Sequence, residues 1–214
     1  MMTSWIQTKK QFSDYGLGFF DVPDYVMNYI KSVSTEQMIP FNKDLAGHIK
    51  REYAFQNVPQ NIKNYFCKCS VEGNLSNIIK DINVLTSDVP IVLDKLWINY
   101  QKKYEYNPFH KHSGFMSFVL FVQIPYNLSD EENVFSKINE RNTNNTTSKL
   151  TFFSIGKLGE PVFSPVNVDK SFEGKMIMFS AKQFHGVYPF YTSDNYRITV
   201  SGNLKFKTYG NNDI

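Results

Sequence analysis

The segment MSFVLFVQIP, residues 116–125, is apolar at most positions, and its centre from Phe118 to Val122 is apolar throughout. A strand with one wet face alternates apolar and polar residues, whereas a strand covered on both faces reads as a continuous apolar run. The segment is also short and rich in aromatic and β-branched residues, which favour pleated sheets. We therefore predict a central strand with packed layers on both of its faces.

Other segments are similarly short and rich in aliphatic and aromatic residues. In the region before them, apolar residues recur at helical spacing. We predict further strands at residues 93–102, 150–155, 175–180 and 196–206. Helices are predicted at three places: after Val22, Pro23 and Asp24, at residues 44–53, and from Asn74 to about Leu85. Strands preceded by helices favour a mostly β fold, a sandwich or barrel with N-terminal helices packed on one sheet.

The chain length favours a single domain. At 214 residues it can bury one sizeable core and is short for two. We expect one domain over residues 1–214, with a mixed helical and strand support region at 1–92 and a β core at 93–206. Residues 129–149 are polar and rich in asparagine, which predicts a long flexible loop between two strands.

Composition narrows the classes of partner. The formal net charge is +3, and basic and acidic residues are interleaved, so the charge does not favour a nucleic-acid partner. Cys67 and Cys69 are too close for an unstrained disulfide, which indicates free thiols in a reducing compartment. The first residues lack a signal-peptide core, and no apolar run is long enough to cross a bilayer. We expect a cytoplasmic protein with no membrane partner.

Three of the four histidines form a pattern that suggests a metal site. His110 and His112 are two residues apart, so in an extended segment both imidazoles point to the same side. His185 follows much later, just after the strand predicted to end near Phe179. Arg197 comes twelve residues further on, at the start of the last strand. His48 stands alone on a predicted helix, where a structural or surface role is expected.

This pattern resembles the signature of iron(II)- and 2-oxoglutarate-dependent oxygenases: a histidine-x-ligand pair, a distant histidine and an arginine about one strand further on. The segments YNPFHKHSG (106–114), HGVYPF (185–190) and RITVSGN (197–203) are similar to small oxygenases of bacteria and of tailed phages of marine bacteria. The resemblance extends over residues 97–204. It implies a double-stranded β-helix (jelly-roll or cupin-like fold), iron(II) at His110, His112 and His185, and 2-oxoglutarate as co-substrate.

The resemblance also implies a residue for the far carboxylate of 2-oxoglutarate. Arg197 is suited to it, because a guanidinium binds a carboxylate through two parallel, charge-assisted hydrogen bonds. Alternation along the last strand places Thr199 on the same face, as a second candidate for this carboxylate. The alternative for Arg197 is a surface salt bridge, for example with Asp194.

Tyr100 is the third candidate for the co-substrate. It lies where related enzymes often place a tyrosine that hydrogen-bonds 2-oxoglutarate. Asn99 and Gln101 point to the opposite face of the strand, so this pair and Tyr100 are rivals. An ordinary core tyrosine is an equally good interpretation of Tyr100.

His112 departs from the common pattern, because most relatives have aspartate or glutamate at this position. Two interpretations follow. His112 is a direct ligand in an all-histidine site, or it is a hydrogen-bond donor that orients a water on the metal.

The resemblance implies a hydroxylase acting on an unidentified substrate. A peptidyl residue such as proline is the first candidate by family analogy, and a nucleobase or a small molecule is the alternative. A homo-oligomer is also compatible with the sequence. The competing hypothesis is a non-catalytic jelly-roll protein, either a component of a phage particle or a binding module that retains a metal site. A roomy polar pocket containing Arg197 favours the enzyme, and a closed, dry pocket favours the alternative.

Overall fold

The computed structural model describes residues 16–71, 89–135 and 145–207. The helices in these segments are α1 (Asp24–Ser32), α2 (Gln60–Val71) and α3 (Leu128–Asn133). The strands are β1 (Gly18–Asp21), β2 (Ile39–Pro40), β3 (Glu52–Ala54), β4 (Ile91–Gln101), β5 (Asn107–His110), β6 (Met116–Gln123), β7 (Leu150–Ile155), β8 (Pro161–Val166), β9 (Lys175–Ser180), β10 (His185–Val187) and β11 (Arg197–Phe206). No helix in the described segments is long and apolar enough to cross a membrane.

The strands form two antiparallel sheets. The larger sheet has the order β1-β9-β6-β11-β4-β3-β2, and the smaller has the order β5-β10-β7-β8. Apolar side chains from both sheets meet between them, among them Phe121 and Phe179 of the larger sheet and Phe152 of the smaller. The predicted mostly β, jelly-roll architecture is therefore confirmed. Within the described residues, the two sheets remain separate and do not join into a closed barrel.

A second core lies on the outer face of the larger sheet, beneath the helices. α1 contributes Val26 and Ile30, and α2 contributes Ile62 and Phe66. The Phe66 ring stacks on Phe118 of β6 with 4.3 Å between ring centroids. Burial of each such large side chain stabilises the fold by about 1.5–3 kcal/mol. β6 thus has a packed layer on both faces, as its apolar run from Phe118 to Val122 predicts, and the helices lie on one sheet as expected.

The five predicted strands are present as β4, β6, β7, β9 and β11, and the first helix begins at Asp24 as predicted. The helix predicted at residues 44–53 is wrong. Its end forms β3, whose register places Glu52 beside Asn99 of β4, and His48 makes an isolated bridge to Tyr106. The apolar residues of this segment have helical spacing, but no helix forms, because the backbone N–H and C=O groups of β3 are hydrogen-bonded to the distant strand β4. The third predicted helix, from Asn74 to about Leu85, lies outside the described residues.

The segment at residues 129–149 is not a loop throughout, which corrects the prediction. It begins within α3, where the carboxylate of Glu131 accepts hydrogen bonds from the backbone N–H groups of Tyr191 and Thr192. At its other end Ser148 is completely buried. Polar composition suggested exposure, but the Glu131 carboxylate and the backbone N–H and carbonyl of Ser148 are hydrogen-bonded inside the fold.

The N-terminal region contributes strands to the larger sheet of the β core. β1 pairs with β9, and β3 pairs with β4. The single domain over residues 1–214, with a support region at 1–92 and a core at 93–206, stays a prediction.

Gly114 occupies a position that a larger residue cannot take. Its φ is +84°, and a Cβ there would lie 2.3 Å from the backbone oxygen of Leu204. We expect Gly114→Ala to lower the free energy of unfolding by about 2–5 kcal/mol, because left-handed strain and the backbone clash add together. Gly159 has the same φ with open space around it, so Gly159→Ala should cost only about 1–2 kcal/mol. Urea unfolding compares the two, and equal losses would contradict this account.

Candidate active site

Strand pairing brings the three predicted histidines together. His110 ends β5 and lies directly opposite His185, the first residue of β10. His112 follows β5, where its backbone N–H donates to the Ala181 carbonyl at 2.8 Å. The Nε2 atoms of His112 and His185 are 3.3 Å apart, and one ligand atom from each ring lies within 4.8 Å of the others. The three imidazoles therefore share one space, as the sequence predicts.

Two of the rings are oriented by backbone carbonyls. The Nδ1 of His110 is 2.7 Å from the Pro108 carbonyl oxygen, and the Nδ1 of His185 is 2.9 Å from that of Gln183. A carbonyl oxygen only accepts, so each Nδ1 carries the proton and donates it. Each Nε2 is thus left with a lone pair that faces the other histidines, and this is the tautomer that binds a metal ion.

The surroundings keep all three imidazoles neutral. Burial lowers the pKa of His110. Burial, and then the charge of His110, lowers the pKa of His112 to about 3. Burial is also the largest cause that lowers the pKa of His185 well below its ordinary value. Neutral rings whose lone pairs converge suit a divalent cation, so the chemistry of this donor set fits iron(II).

Arg197 lines the same cavity, which lies between the sheets and has a volume of about 200 Å³. Its register partner on β4 is Gln101, and Thr199 is paired in the same way with Asn99. Paired residues on adjacent strands point to the same face, so the cavity wall carries four polar side chains in two rows. The face predicted for Arg197 and Thr199 is therefore the one that they occupy.

The guanidinium of Arg197 is buried, with 2% of the residue exposed. One Nη donates to the Ser148 carbonyl at 2.9 Å, while Nε has no hydrogen-bond partner among the described residues. The alternative salt bridge to Asp194 is wrong, because Asp194 pairs with Lys103 at 2.8 Å on the surface. An unsatisfied buried N–H is costly, so this residue fits a buried carboxylate ligand.

Tyr100 is not brought into the cavity, which corrects its assignment to the co-substrate. The pleat of β4 turns its ring to the opposite face, where it contacts Tyr53 and Tyr196 edge-on. It packs there against the core beneath the helices. Its rivals Asn99 and Gln101 line the cavity instead, and the Nδ2 of Asn99 donates to the Oγ1 of Thr199 at 3.3 Å.

His48 lies apart from the other histidines. Its ring stacks on Tyr106 with 4.7 Å between centroids, and the residue is exposed. This agrees with the structural or surface role expected for it.

Glu52 is a cavity residue that sequence reasoning missed. It lines the cavity from β3, and only 1% of it is exposed. Burial, and secondarily the charge of Glu105, raises the pKa of Glu52 to about 7. The helix predicted wrongly at residues 44–53 is the reason that Glu52 was missed, because an acidic residue on a short helix is expected to lie at the surface. A strand in this segment would have placed it beside Asn99.

We expect Glu52→Gln to stabilise the metal-free protein at pH 8 and to change its stability little at pH 4.5. The folded state holds the Glu52 proton more tightly than the unfolded chain, whose ordinary pKa is 4.5. In wild type, the protonated Glu52 carboxyl contributes to the free energy of unfolding. This contribution is fully present below pH 4.5 and is lost as the pH rises through about 7. Between pH 4.5 and pH 8, the free energy of unfolding of Glu52→Gln should therefore rise relative to that of wild type by at most about 3 kcal/mol.

Urea unfolding of both proteins at the two pH values measures this difference. Glu36→Gln is the control, since Glu36 is exposed and is not among the groups that shift the pKa of Glu52. A difference between Glu52→Gln and wild type that does not change with pH would show that Glu52 titrates normally.

Part of the amino-acid sequence matches a known protein family. Residues 95–203, just over half of the chain, match the sequence profile of the family "Putative 2OG-Fe(II) oxygenase". This stretch contains all three clustered histidines and Arg197. No curated protein matches the sequence significantly.

Solved structures with a similar fold are distant in sequence. A Pseudomonas putida prolyl-4-hydroxylase matches over 91% of this chain and 94% of its own, with 11% identity and a TM-score of 0.52. HygX from Streptomyces hygroscopicus, solved with nickel and 2-oxoglutarate bound, matches over 92% and 85%, with 13% identity and a TM-score of 0.43. A 2OG-Fe(II) oxygenase family oxidoreductase from Burkholderia pseudomallei matches over 88% and 84%, with 12% identity and a TM-score of 0.44. At such identities, the prolyl-4-hydroxylase match supports the fold alone.

Proposed function

Because the chain belongs to the 2OG-Fe(II) oxygenase family, and is therefore an enzyme that depends on iron(II) and 2-oxoglutarate, we propose that its cavity is the active site of a hydroxylase. In this proposal His110, His112 and His185 hold the iron, and Arg197 with Thr199 binds the far carboxylate of 2-oxoglutarate. One observation carries it: the convergent imidazoles and a buried, incompletely satisfied guanidinium line the same cavity.

The two ends of the cavity have complementary roles. The histidine end supplies three neutral nitrogen donors on one side of the space, so the remaining positions around a metal are open to other ligands. When bound, iron(II) with 2-oxoglutarate supplies the activation of dioxygen that oxidises a C–H bond, with release of succinate and carbon dioxide. The arginine end supplies a fixed positive charge that orients the keto acid.

The packing around these residues fixes their geometry. Phe152 and Phe179 contact the His185 ring, with centroid separations of 5.8 and 4.7 Å. Trp97 contacts His112 at 5.7 Å. These apolar neighbours restrict water and hold the imidazoles in place, which supports catalysis at a preorganised site.

We assign His112 as a direct ligand in place of the usual carboxylate. The position of its Nε2, 3.3 Å from that of His185, supports this assignment, because ligands about 2.0–2.2 Å from one ion lie roughly 3 Å from one another. A hydrogen-bond donor to a metal-bound water is the alternative role.

Turnover of 2-oxoglutarate tests the proposed function without knowledge of the substrate. Purified protein supplied with iron(II), ascorbate, dioxygen and 2-oxoglutarate should release succinate slowly, and a peptidyl proline substrate should be the first addition tested for faster release. A nucleobase or small-molecule substrate is the alternative to test next. Reactions without iron, and reactions without protein, set the background. Succinate that never rises above this background would contradict the proposal and favour a binding or structural role.

A further inference from the structure

Glu52 lies at an end of the cavity that the iron and the keto acid do not require. Strand register orders three side chains in one row across the larger sheet: Thr199 on β11, Asn99 on β4 and Glu52 on β3. Adjacent strands are about 4.8 Å apart, so Glu52 lies roughly 10 Å across the sheet from the Thr199 position. Glu52 therefore lines a part of the cavity that is separate from Arg197 and Thr199, the residues proposed to bind the keto acid.

The carboxyl group of Glu52 has little to satisfy it. Its Oε2 accepts one long hydrogen bond of 3.5 Å from the Nδ2 of Asn42, which is at the weak limit for such bonds. Among the ion pairs between described residues, none includes Glu52. A buried carboxyl without a cation or strong donors is costly, so this group is suited to a partner that enters the cavity.

The neighbouring atoms also favour a donor. The Oδ1 of Asn99, the next residue in the row, is buried and lacks a hydrogen-bond partner. A Cβ on Gly47 would lie 2.9 Å from the Oε1 of Glu52 and 2.2 Å from the Oδ1 of Asn107. The absence of a side chain at Gly47 thus leaves room for two acceptor oxygens. Asp44, an exposed acid, also lines the cavity. This wall presents several oxygen acceptors.

We propose that Glu52 recognises the primary substrate by binding a protonated nitrogen group on it, an ammonium or a guanidinium. The inference rests on the proposed hydroxylase function and names the class of substrate for the same cavity. Glu52 and the Oδ1 of Asn99 accept hydrogen bonds from the cationic group, while the rest of the substrate extends toward the histidines. The substrate is thus an amine or guanidine compound, either free or as a side chain, in place of the peptidyl proline that family analogy alone suggests.

The protonation behaviour of Glu52 is consistent with this role. With a pKa of about 7, raised mainly by burial, the free carboxyl is close to half protonated at neutral pH. A cation beside it favours the ionised form, so binding forms a charge-assisted pair inside a space from which bulk water is largely excluded. A neutral hydroxyl would supply only an uncharged hydrogen bond, and an apolar substrate would leave the carboxyl unsatisfied.

The test uses three pairs of probes, each with a cationic member and an uncharged counterpart: Nα-acetyl-lysine amide with Nα-acetylnorleucine amide, Nα-acetylarginine amide with Nα-acetylcitrulline amide, and pentylammonium with pentanol. Saturation-transfer NMR titrations measure their dissociation constants for the wild type, Glu52→Gln and Glu105→Gln proteins, each loaded with zinc and 2-oxoglutarate. In wild type, at least one cationic probe should bind about 10- to 100-fold more tightly than its counterpart, as a charge-assisted contact predicts. Glu52→Gln should remove the preference, and Glu105→Gln should keep it.

Two results would overturn the inference. Equal binding within each pair in wild type would exclude a cation-selective wall, and a preference that persists in Glu52→Gln would exclude Glu52 as its cause. The proposed function fails separately, since retention of 2-oxoglutarate by the wild-type protein is measured in the same samples by the signals of the keto acid. A protein that does not bind 2-oxoglutarate contradicts the hydroxylase, whatever the outcome with the amines.

Discussion

Replacing Arg197 with alanine is expected to abolish measurable 2-oxoglutarate binding while iron(II) binding is largely retained. The guanidinium is buried and has an unused N–H, so a carboxylate placed beside it gains a charge-assisted contact that alanine cannot provide. Loss of such a buried pair should cost about 2–5 kcal/mol, or roughly 30- to 5,000-fold in affinity. Isothermal titration calorimetry of the iron-loaded proteins under anaerobic conditions measures it.

Two further variants distinguish binding from folding. Arg197→Lys keeps the charge but loses the paired geometry, so it should bind 2-oxoglutarate with intermediate affinity. Arg51→Ala removes an arginine outside the cavity, where the guanidinium lies over the Tyr100 and Tyr196 rings, and it should bind like wild type. Unchanged affinity in Arg197→Ala would assign Arg197 a structural role and direct attention to Lys111, a lysine that also lines the cavity.

Replacing His112 with alanine is expected to weaken iron(II) binding by more than about 100-fold. One of three proposed protein ligands is then missing, whereas loss of a residue that only orients a ligand typically costs about 10–100-fold. His112→Asp should retain iron and keep or raise the slow turnover of 2-oxoglutarate, because it restores a face of two histidines and one carboxylate. Competition with a chelator of known affinity, together with succinate release, measures both variants.

The control for His112 is His48→Ala, which removes a histidine that stacks on Tyr106 outside the cavity. It should not change iron binding. If His112→Ala costs only about 10–100-fold, and His112→Asp is no better than alanine, His112 acts through a water and not as a ligand. If neither variant changes iron binding, the three-histidine site is wrong.

The sequence was most informative where one strong pattern decided the outcome. The unbroken apolar run of β6 can be accommodated only with layers on both faces, and the structure places Phe118 and Phe121 in different cores. The spacing of His110 and His112 predicts a shared side for the two rings in an extended segment, and the ring centroids do lie 4.8 Å apart, although His112 follows the end of β5. Alternation along β11 correctly grouped Arg197 with Thr199 because that rule depends only on the pleat.

The sequence was least informative where the result depends on distant partners. β3 forms because β4 offers hydrogen bonds to it, and local helical spacing in residues 44–53 carries no sign of that partner. Glu52 was missed for the same reason. The sequence does not show which face of β4 meets the second sheet, so it could not decide whether Tyr100 or its neighbours face the cavity. The structure decides it, because Asn99 is paired with Thr199, which lines the cavity. Family resemblance indicated a tyrosine, but Asn99 and Gln101 line the cavity and Tyr100 does not.

The most direct test of the central claim is the visible absorption spectrum of the wild-type protein during anaerobic reconstitution. Iron(II) alone should add no visible band, and subsequent addition of 2-oxoglutarate should produce a weak metal-to-ligand charge-transfer band that saturates at one equivalent per chain. Such a band requires the metal and the keto acid to be bound in contact within one site. A protein that takes up iron(II) and is then given excess 2-oxoglutarate, yet shows no such band, would contradict the assignment of this cavity to both.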